Sequence, residues 1–166
     1  MSRRTKHYWL VKSEPHVFSF EDLLAAKGAK TPWDGVRNYQ ARNLMRDHMK
    51  PGDGVLYYHS NADPVGVVGL AEVASEPYPD ELQFDPDSKY FDDKATPESP
   101  RWILVDIRAV RPLERLVSLA ELKAEPALEA MEVVRKGSRL SVQPVRPAEW
   151  RAVLGMARRK PRAAPN

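Results

Sequence analysis

The chain has 166 residues, of which 42% are hydrophobic and 30% are charged. This length and this balance predict one soluble domain with its own core and argue against a disordered chain. No apolar run approaches the roughly 20 residues that span a bilayer, so we expect no membrane contact. The absence of cysteine excludes disulfides, thiolate metal sites and cysteine nucleophiles, and we predict a cytoplasmic location.

The net charge of +3 is unevenly distributed along the chain. Both ends are basic and contain no acid, whereas acids dominate residues 76–98. We therefore predict a basic N-terminal arm (residues 1–6), a globular domain (residues 7–156) and a basic C-terminal tail (residues 157–166). Basic ends on an acidic body are typical of proteins that contact phosphate backbones, and equally of a solubilising arm and tail.

The first predicted elements are a strand and two helices. Residues 8–12 are aromatic and β-branched, which predicts a strand. Ser19, with Asp22 three positions later, has the spacing of a capping box and predicts the start of a helix. Proline and an Asp-Gly pair predict a loop over residues 31–35, and a modest apolar stripe predicts a second helix over residues 39–49.

Two further strands are predicted over residues 55–59 and 65–73, which are rich in valine and tyrosine. Gly66 and Gly69 interrupt the second of these strands. Glycines inside a strand often mark bulges or sharp bends, as in small closed barrels. Residues 77–100 carry several prolines among acids, so we expect a long excursion without a core of its own.

The remaining elements are a strand, a helix, a strand and a C-terminal helix. Residues 102–107 form the clearest strand pattern in the sequence. Ser118 and Glu121 have the spacing of a second capping box, residues 140–145 predict a late strand, and Pro147 begins the last helix. The order predicts a single α+β domain in which a curled sheet or small barrel is flanked by helices.

The sequence lacks the motifs of several enzyme classes. Its four histidines are scattered without metal-ligand spacing, and it contains no phosphate-binding glycine loop and no G-x-S-x-G motif. We therefore predict no metal and no cofactor. The three acids that could act in acid–base catalysis are better explained as turn and cap residues: Glu14, Asp34 and Asp53.

Aromatic, amide and basic side chains are interleaved between Trp33 and Asn43. In a loop, Trp33 could stack on a base while Asn38 or Asn43 contacts the polar edge of that base. Arg37 and Arg42 could contact phosphates beside a helix N-terminus. The alternative is that Trp33 covers the core and the arginines are solvated, and the residues alone do not separate these two interpretations.

Five segments, in this order, resemble the EVE domain of the thymocyte nuclear protein 1 family: residues 9–15, 33–43, 57–60, 78–80 and 139–142. The resemblance covers nearly the whole chain. It implies a PUA-like fold, a bent β-barrel flanked by helices, related to the YTH and ASCH domains. YTH domains hold a methylated adenine in an aromatic cage, and EVE domains are thought to bind modified bases.

The resemblance also implies particular site residues. Lys12 and Ser13 resemble the Lys-Ser step that lines the YTH base pocket, Trp33 resembles the first cage tryptophan, and Asn38 falls near the YTH asparagine that hydrogen-bonds the base. The other cage tryptophans have no counterpart, and we suggest Tyr78, Tyr90 and Phe91 as substitutes. The implied base pocket comprises Lys12, Ser13, Trp33, Asn38, Tyr57, Tyr58, His59, Ser60 and Tyr78, with Arg37 and Arg42 contacting phosphate.

The resemblance therefore predicts a nucleic-acid-binding module that flips a modified base, either a modified cytosine in DNA or a modified base in RNA, into an aromatic pocket. One alternative is a small enzyme acting on a modified nucleoside, with His59, Lys12 and Glu14 near the reacting atoms, because some ASCH proteins are hydrolases. A third hypothesis is a domain that binds RNA or proteins only through its basic ends.

Overall fold

A curled six-stranded sheet forms the centre of the protein, as seen in a computed structural model that describes residues 5–161. The strands are β1 (Tyr8–Ser13), β2 (Lys30–Pro32), β3 (Gly54–His59), β4 (Gly66–Val73), β5 (Tyr78–Pro79), β6 (Ile103–Leu104), β7 (Asp106–Ser118) and β8 (Val142–Val145). The sheet has the order β2-β7-β4-β3-β1-β8, and only β1 and β3 run parallel within it. Strands β5 and β6 form a separate two-stranded ribbon.

Five α-helices accompany the sheet within residues 5–161: α1 (Pro15–Phe18), α2 (Phe20–Ala25), α3 (Tyr39–Asp47), α4 (Leu119–Ala124) and α5 (Pro147–Ala157). Because side chains alternate along each strand, the two faces of the sheet bury different clusters. Tyr57 packs with residues of α2 and α3 on one face, whereas its neighbour Tyr58 packs with residues of α4 and α5 on the other. The predicted α+β class is confirmed.

Both predicted capping boxes are present. The Ser19 side chain accepts a hydrogen bond from the Asp22 N–H, and the Asp22 carboxylate accepts one from the Ser19 N–H. Ser118 and Glu121 make the same reciprocal pair at the start of α4. These helix starts could be read from the sequence because both partners lie within one turn.

The glycines of β4 allow the sheet to bend, as predicted. The register between β4 and β7 shifts between Val67 and Gly69. A Cβ atom at Gly69 would lie 2.5 Å from the Phe20 ring, and one at Gly66 would lie 2.3 Å from the Val117 carbonyl oxygen. Glycine is therefore required where β4 approaches its neighbours most closely.

The predicted strand over residues 102–107 is interrupted, and its continuation was missed. Val105 separates β6 from β7, and β7 runs on to Ser118 with Arg108, Val110, Pro112 and Glu114 at its exposed positions. The predicted loop 31–35 is also partly wrong, because Lys30–Pro32 pairs with β7 as an edge strand. Proline is tolerated there because an edge strand has one unpaired side.

The excursion over residues 77–100 is held in place by hydrogen bonds of polar groups, not by a hydrophobic core of its own. The Gln83 side chain is fully buried. Its amide nitrogen donates to the carbonyls of Asp80 and Trp102, and its amide oxygen accepts from the N–H groups of Arg101 and Trp102. One glutamine thus replaces the backbone pairing that a regular element would provide.

The predicted ends of the chain lie only partly within the described residues. Residues 1–4 of the arm and 162–166 of the tail lie outside them. The predicted tail starts at Ala157, yet Ala157 is buried as the last residue of α5. No helix within residues 5–161 is long and apolar enough to cross a membrane.

Candidate functional site

A cavity of about 640 Å³ opens where β1 ends. Its walls come from the end of β1, from α1, from the segment 31–37 and from the excursion, with Ser141 completing it beside β8. The cavity therefore lies at the meeting point of segments that are far apart in the chain.

Trp33 forms one wall of this cavity and is also a core residue. Only 9% of its surface is exposed, and its ring lies edge-on to Tyr57 with centroids 5.5 Å apart. Its backbone N–H donates to the Val105 carbonyl. Trp33 can therefore both cover the core and stack on a base, because its indole is buried and also borders an open cavity.

Asp80 holds the loop that follows Trp33. Its carboxylate is 2% exposed and accepts hydrogen bonds from the Gly35 N–H at 2.9 Å, from Arg37 Nη1 at 3.0 Å and from the Leu82 N–H at 2.9 Å. Gly35 has a positive φ of 79°, and a Cβ atom there would lie 2.8 Å from the Tyr90 ring. Tyr90 is therefore packed directly on the loop and supplies a second aromatic wall of the cavity.

The two arginines predicted to contact phosphate are hydrogen-bonded within the protein. Arg37 donates through Nε and Nη2 to the Tyr90 carbonyl, and its guanidinium lies 5.3 Å from the centre of the Tyr90 ring. Arg42 donates to the Asn43 side chain and to the Arg101 carbonyl. Arg37 borders the cavity, and Arg42 does not.

Ser13 and Lys12 border the cavity as the resemblance implies. The Ser13 hydroxyl donates to the Phe18 carbonyl at 2.6 Å. The Lys12 ammonium lies 5.9 Å from the centre of the Tyr58 ring, and burial lowers the pKa of this lysine. The cationic end of Lys12 is thus directed toward the opposite face of the sheet from Trp33.

Tyr57 and Tyr58 do not line the cavity. Tyr57 is fully buried behind Trp33, its hydroxyl donates to the Phe18 carbonyl, and burial raises its pKa to about 12. Tyr58 lies on the other face of the sheet, because neighbouring strand residues point to opposite sides.

The other four implied pocket residues also lie outside the cavity wall. Asn38 caps α3 by accepting from the Ala41 N–H, and Ser60 donates its backbone N–H to the Ser13 carbonyl. His59 Nε2 accepts from the Phe20 N–H at 3.1 Å, and burial lowers the pKa of this histidine. Tyr78 donates its hydroxyl to Asp106.

Asp34 and Ser141 line the cavity, and neither was included in the implied pocket. Burial and the neighbouring Asp80 charge raise the pKa of Asp34. The available signal was the position of Asp34 directly after Trp33, which was interpreted as a turn residue. Ser141 lies in one of the resembling segments but nothing in its local pattern indicates a pocket.

The fold agrees with comparisons of this chain with known proteins. The family model described as the EVE domain matches residues 7–156, and the chain belongs to this family, as the resemblance indicated. Human thymocyte nuclear protein 1 is 39% identical, over 93% of this chain and 75% of that protein.

Solved structures of relatives have the same fold. Human THYN1 in complex with 5-methylcytosine-containing DNA is 39% identical, with a TM-score of 0.87 over 94% of this chain and 100% of that one. A hypothetical protein from Leishmania major is 48% identical, with a TM-score of 0.86 over 93% and 96% of the two chains. An ASCH mutant protein from Zymomonas mobilis, 10% identical with a TM-score of 0.51 over 90% and 97%, shares the fold alone. The predicted PUA-like fold is confirmed.

The prediction of a cytoplasmic location is wrong. Relatives from human and chicken that match most of the chain are named as a nuclear protein. The sequence argument had rested on the lack of cysteine and of an apolar span, and neither feature distinguishes one intracellular compartment from another.

Proposed function

We propose that this protein binds DNA carrying a modified cytosine and holds the flipped base in the cavity beside Trp33. The observation that carries the proposal is the combination of this cavity with the match to human THYN1, whose structure contains 5-methylcytosine DNA and aligns with 94% of this chain. The human relative supports the DNA with a modified cytosine, and the cavity beside Trp33 supports the position of the flipped base.

The cavity suits a flat heterocycle. Its volume of about 640 Å³ is within the range of roughly 300–1,000 Å³ that is typical of small-molecule sites. Trp33 and Tyr90 provide aromatic surface in its lining. Stacking on an aromatic side chain contributes about 1–3 kcal/mol per base, which is comparable to the few kcal/mol needed to flip it.

Because these two terms nearly balance, the modification decides whether the base stays in the cavity. Burying one methyl group contributes about 0.8 kcal/mol, close to a four-fold preference. Val36, Pro32 and Val17 supply apolar surface on the cavity wall for such a group. We therefore expect selectivity for the modified base with weak binding of unmodified duplex.

The two arginines act indirectly in this proposal. Arg37 and Arg42 stabilise the loop, α3 and the excursion through their hydrogen bonds, and so they position Tyr90 and Trp33. Lys89 borders the cavity and is exposed, with its ammonium 5.0 Å from the centre of the Tyr90 ring. Its position at the mouth suits a contact with the phosphate next to the flipped base.

The test is a titration of DNA and RNA oligonucleotides that carry 5-methylcytosine or cytosine at one position. Wild-type protein should bind the methylated DNA more tightly. Trp33→Phe, which keeps a buried ring but reduces the stacking surface, should lose affinity, whereas Trp150→Phe, at a half-buried tryptophan outside the cavity, should not. Wild-type protein that binds none of the DNA probes would overturn the proposal, and a preference for methylated RNA would assign the cavity to RNA.

We also propose that the protein is a binding module and not an enzyme on modified nucleosides. Each of the three groups that an enzyme would use has another partner: His59 Nε2 accepts from the Phe20 N–H, Glu14 pairs with His16 at 2.9 Å, and the Lys12 ammonium lies 5.9 Å from the centre of the Tyr58 ring. The relatives that match most of the chain are named as nuclear proteins, not as enzymes. Turnover of a modified nucleoside that disappears in His59→Ala would contradict this proposal.

A further inference from the structure

Most polar side chains around the cavity already have partners in the protein. Ser13 donates to the Phe18 carbonyl, Thr31 donates to the Pro32 carbonyl, and Glu14 pairs with His16. Arg37 is bound to Tyr90 and Asp80. Because these groups already bind other residues of the cavity wall, they have few hydrogen bonds left for the polar edge of a bound base.

Asp34 differs from them. Asp34 lines the cavity next to Trp33, and its carboxylate accepts a hydrogen bond from its own backbone N–H. The residue is exposed, yet partial burial and the Asp80 charge raise the pKa of its carboxyl, against the opposing charge of Arg37. A carboxylate has two oxygens with about four acceptor sites, so it can accept further hydrogen bonds beyond the one from this local N–H.

We propose that Asp34 makes the cavity specific for cytosine by accepting a hydrogen bond from the exocyclic N4 amine of the flipped base. This inference rests on the proposed function and assigns the base-selecting contact within that site. Cytosine presents an amine where thymine and uracil present a carbonyl oxygen. A carboxylate can accept from the amine, and it repels the carbonyl.

The chemistry of the neighbouring groups assigns this selection to Asp34. Ser141 also lines the cavity, but a hydroxyl can either donate or accept, so it does not distinguish an amine from a carbonyl. Trp33 and Tyr90 stack on any base, since every base has a π-face. The aromatic walls therefore hold a base, the apolar wall favours its methyl group, and Asp34 determines that the base is cytosine.

The test separates the amine from the methyl group with four single-stranded DNA probes. Each probe is a purine strand with one central pyrimidine: 5-methylcytosine, cytosine, thymine or uracil. Thymine carries the same methyl group as 5-methylcytosine and lacks the amine. Wild-type protein should prefer 5-methylcytosine over thymine, and cytosine over uracil, by roughly 5- to 150-fold. This is the range expected for one good contact to a base edge.

Asp34→Asn should abolish this preference, because an asparagine amide can accept from the amine or donate to the carbonyl equally well. It should retain the methyl preference, which depends on the apolar wall. Asp87→Asn makes the same change of charge at an exposed acid outside the cavity and should leave all four affinities in their wild-type order. Thermal unfolding of each variant verifies that the fold is intact.

The two proposals fail in different ways. Wild-type protein that binds no probe contradicts the proposed function. Wild-type protein that prefers 5-methylcytosine over thymine, with the same preference in Asp34→Asn, overturns the assignment of Asp34 and leaves the proposed function standing. Equal binding of 5-methylcytosine and thymine by the wild-type protein also overturns the assignment, because the cavity would then recognise only the methyl group.

Discussion

One wall of the cavity belongs to the hydrophobic core, whereas another wall is held by polar contacts. We call the first the core wall, made by Trp33 with Tyr57 behind it, and the second the excursion wall, made by Lys89 and Tyr90. The core wall is packed in a cluster that includes residues of β1, β3, α2 and α3. The excursion wall depends on the carboxylate of Asp80 and on hydrogen bonds to Arg37.

The difference shows that one cavity can combine a wall held by dense core packing with a wall held by a few polar contacts. A change in the core wall alters the packing of the whole domain, because dense interiors do not absorb lost volume. A change in the excursion wall removes a few directional contacts and leaves the core in place. Mutations in the two walls should therefore separate loss of stability from loss of binding.

The largest expected effect is on the core wall. Trp33→Ala removes a buried indole and should lower the free energy of unfolding by about 3–5 kcal/mol. Trp150→Ala should cost less, because Trp150 is half-buried and packs on one side against Tyr8, with ring centroids 4.5 Å apart. Chemical denaturation of both variants gives the comparison, and an equal or smaller loss in Trp33→Ala would show that Trp33 is not part of the core.

A smaller effect is expected for the excursion wall. Asp80→Asn weakens the hydrogen bonds to Gly35, Arg37 and Leu82, and should lower the free energy of unfolding by about 1.5–3 kcal/mol. Amide hydrogen exchange at Gly35 and Leu82 should accelerate more than exchange in β3. Uniform acceleration throughout the chain would instead mean that the excursion and the core unfold together. Asp87→Asn is the matched control, since Asp87 is exposed.

The smallest expected effect is a pH dependence of the free energy of unfolding, caused by His59 behind the core wall. His59 Nε2 must be unprotonated to accept from the Phe20 N–H, and burial lowers the pKa of His59. The unfolded chain therefore binds the proton more readily, so the contribution of His59 is complete above about pH 6.5 and is lost as the pH falls below that value.

Denaturation measured across this pH range tests the prediction. His59→Gln can still accept the hydrogen bond through its side-chain oxygen without titrating, so its stability should fall less on acidification than that of the wild type. His16→Gln, at an exposed histidine, should retain the wild-type fall. A wild-type stability that rises on acidification would have the wrong sign.

Much of the fold could be predicted because its signals are local. The Ser19 and Ser118 boxes are complete within four residues, and the glycines of β4 mark the bends where they were expected. Strand β7 was underestimated because Val110 and Pro112 are exposed there, so apolar and polar residues do not alternate cleanly beyond Ile107. The resemblance to the EVE domain gave the family and the PUA-like fold correctly.

The site was only partly predictable. The sequence and its resemblance brought Lys12, Ser13, Trp33 and Arg37 to the cavity, but they did not show that the Arg37 guanidinium is bound to Tyr90 and Asp80, which lie 53 and 43 residues away in the chain. The resemblance also could not show which face of β3 meets the cavity, since that depends on the register of β3 with β1 and β4.

By itself, the sequence determined the elements, their caps, the bends of β4 and the family, because each of these depends on a short stretch of side chains or on an ordered set of motifs. The tertiary structure alone decided that Tyr90 covers Gly35, that Asp80 joins the loop to the excursion and that Asp34 lines an open cavity. These contacts join residues that are tens of positions apart, and their formation depends on how the sheet curls and on which buried polar groups find a partner.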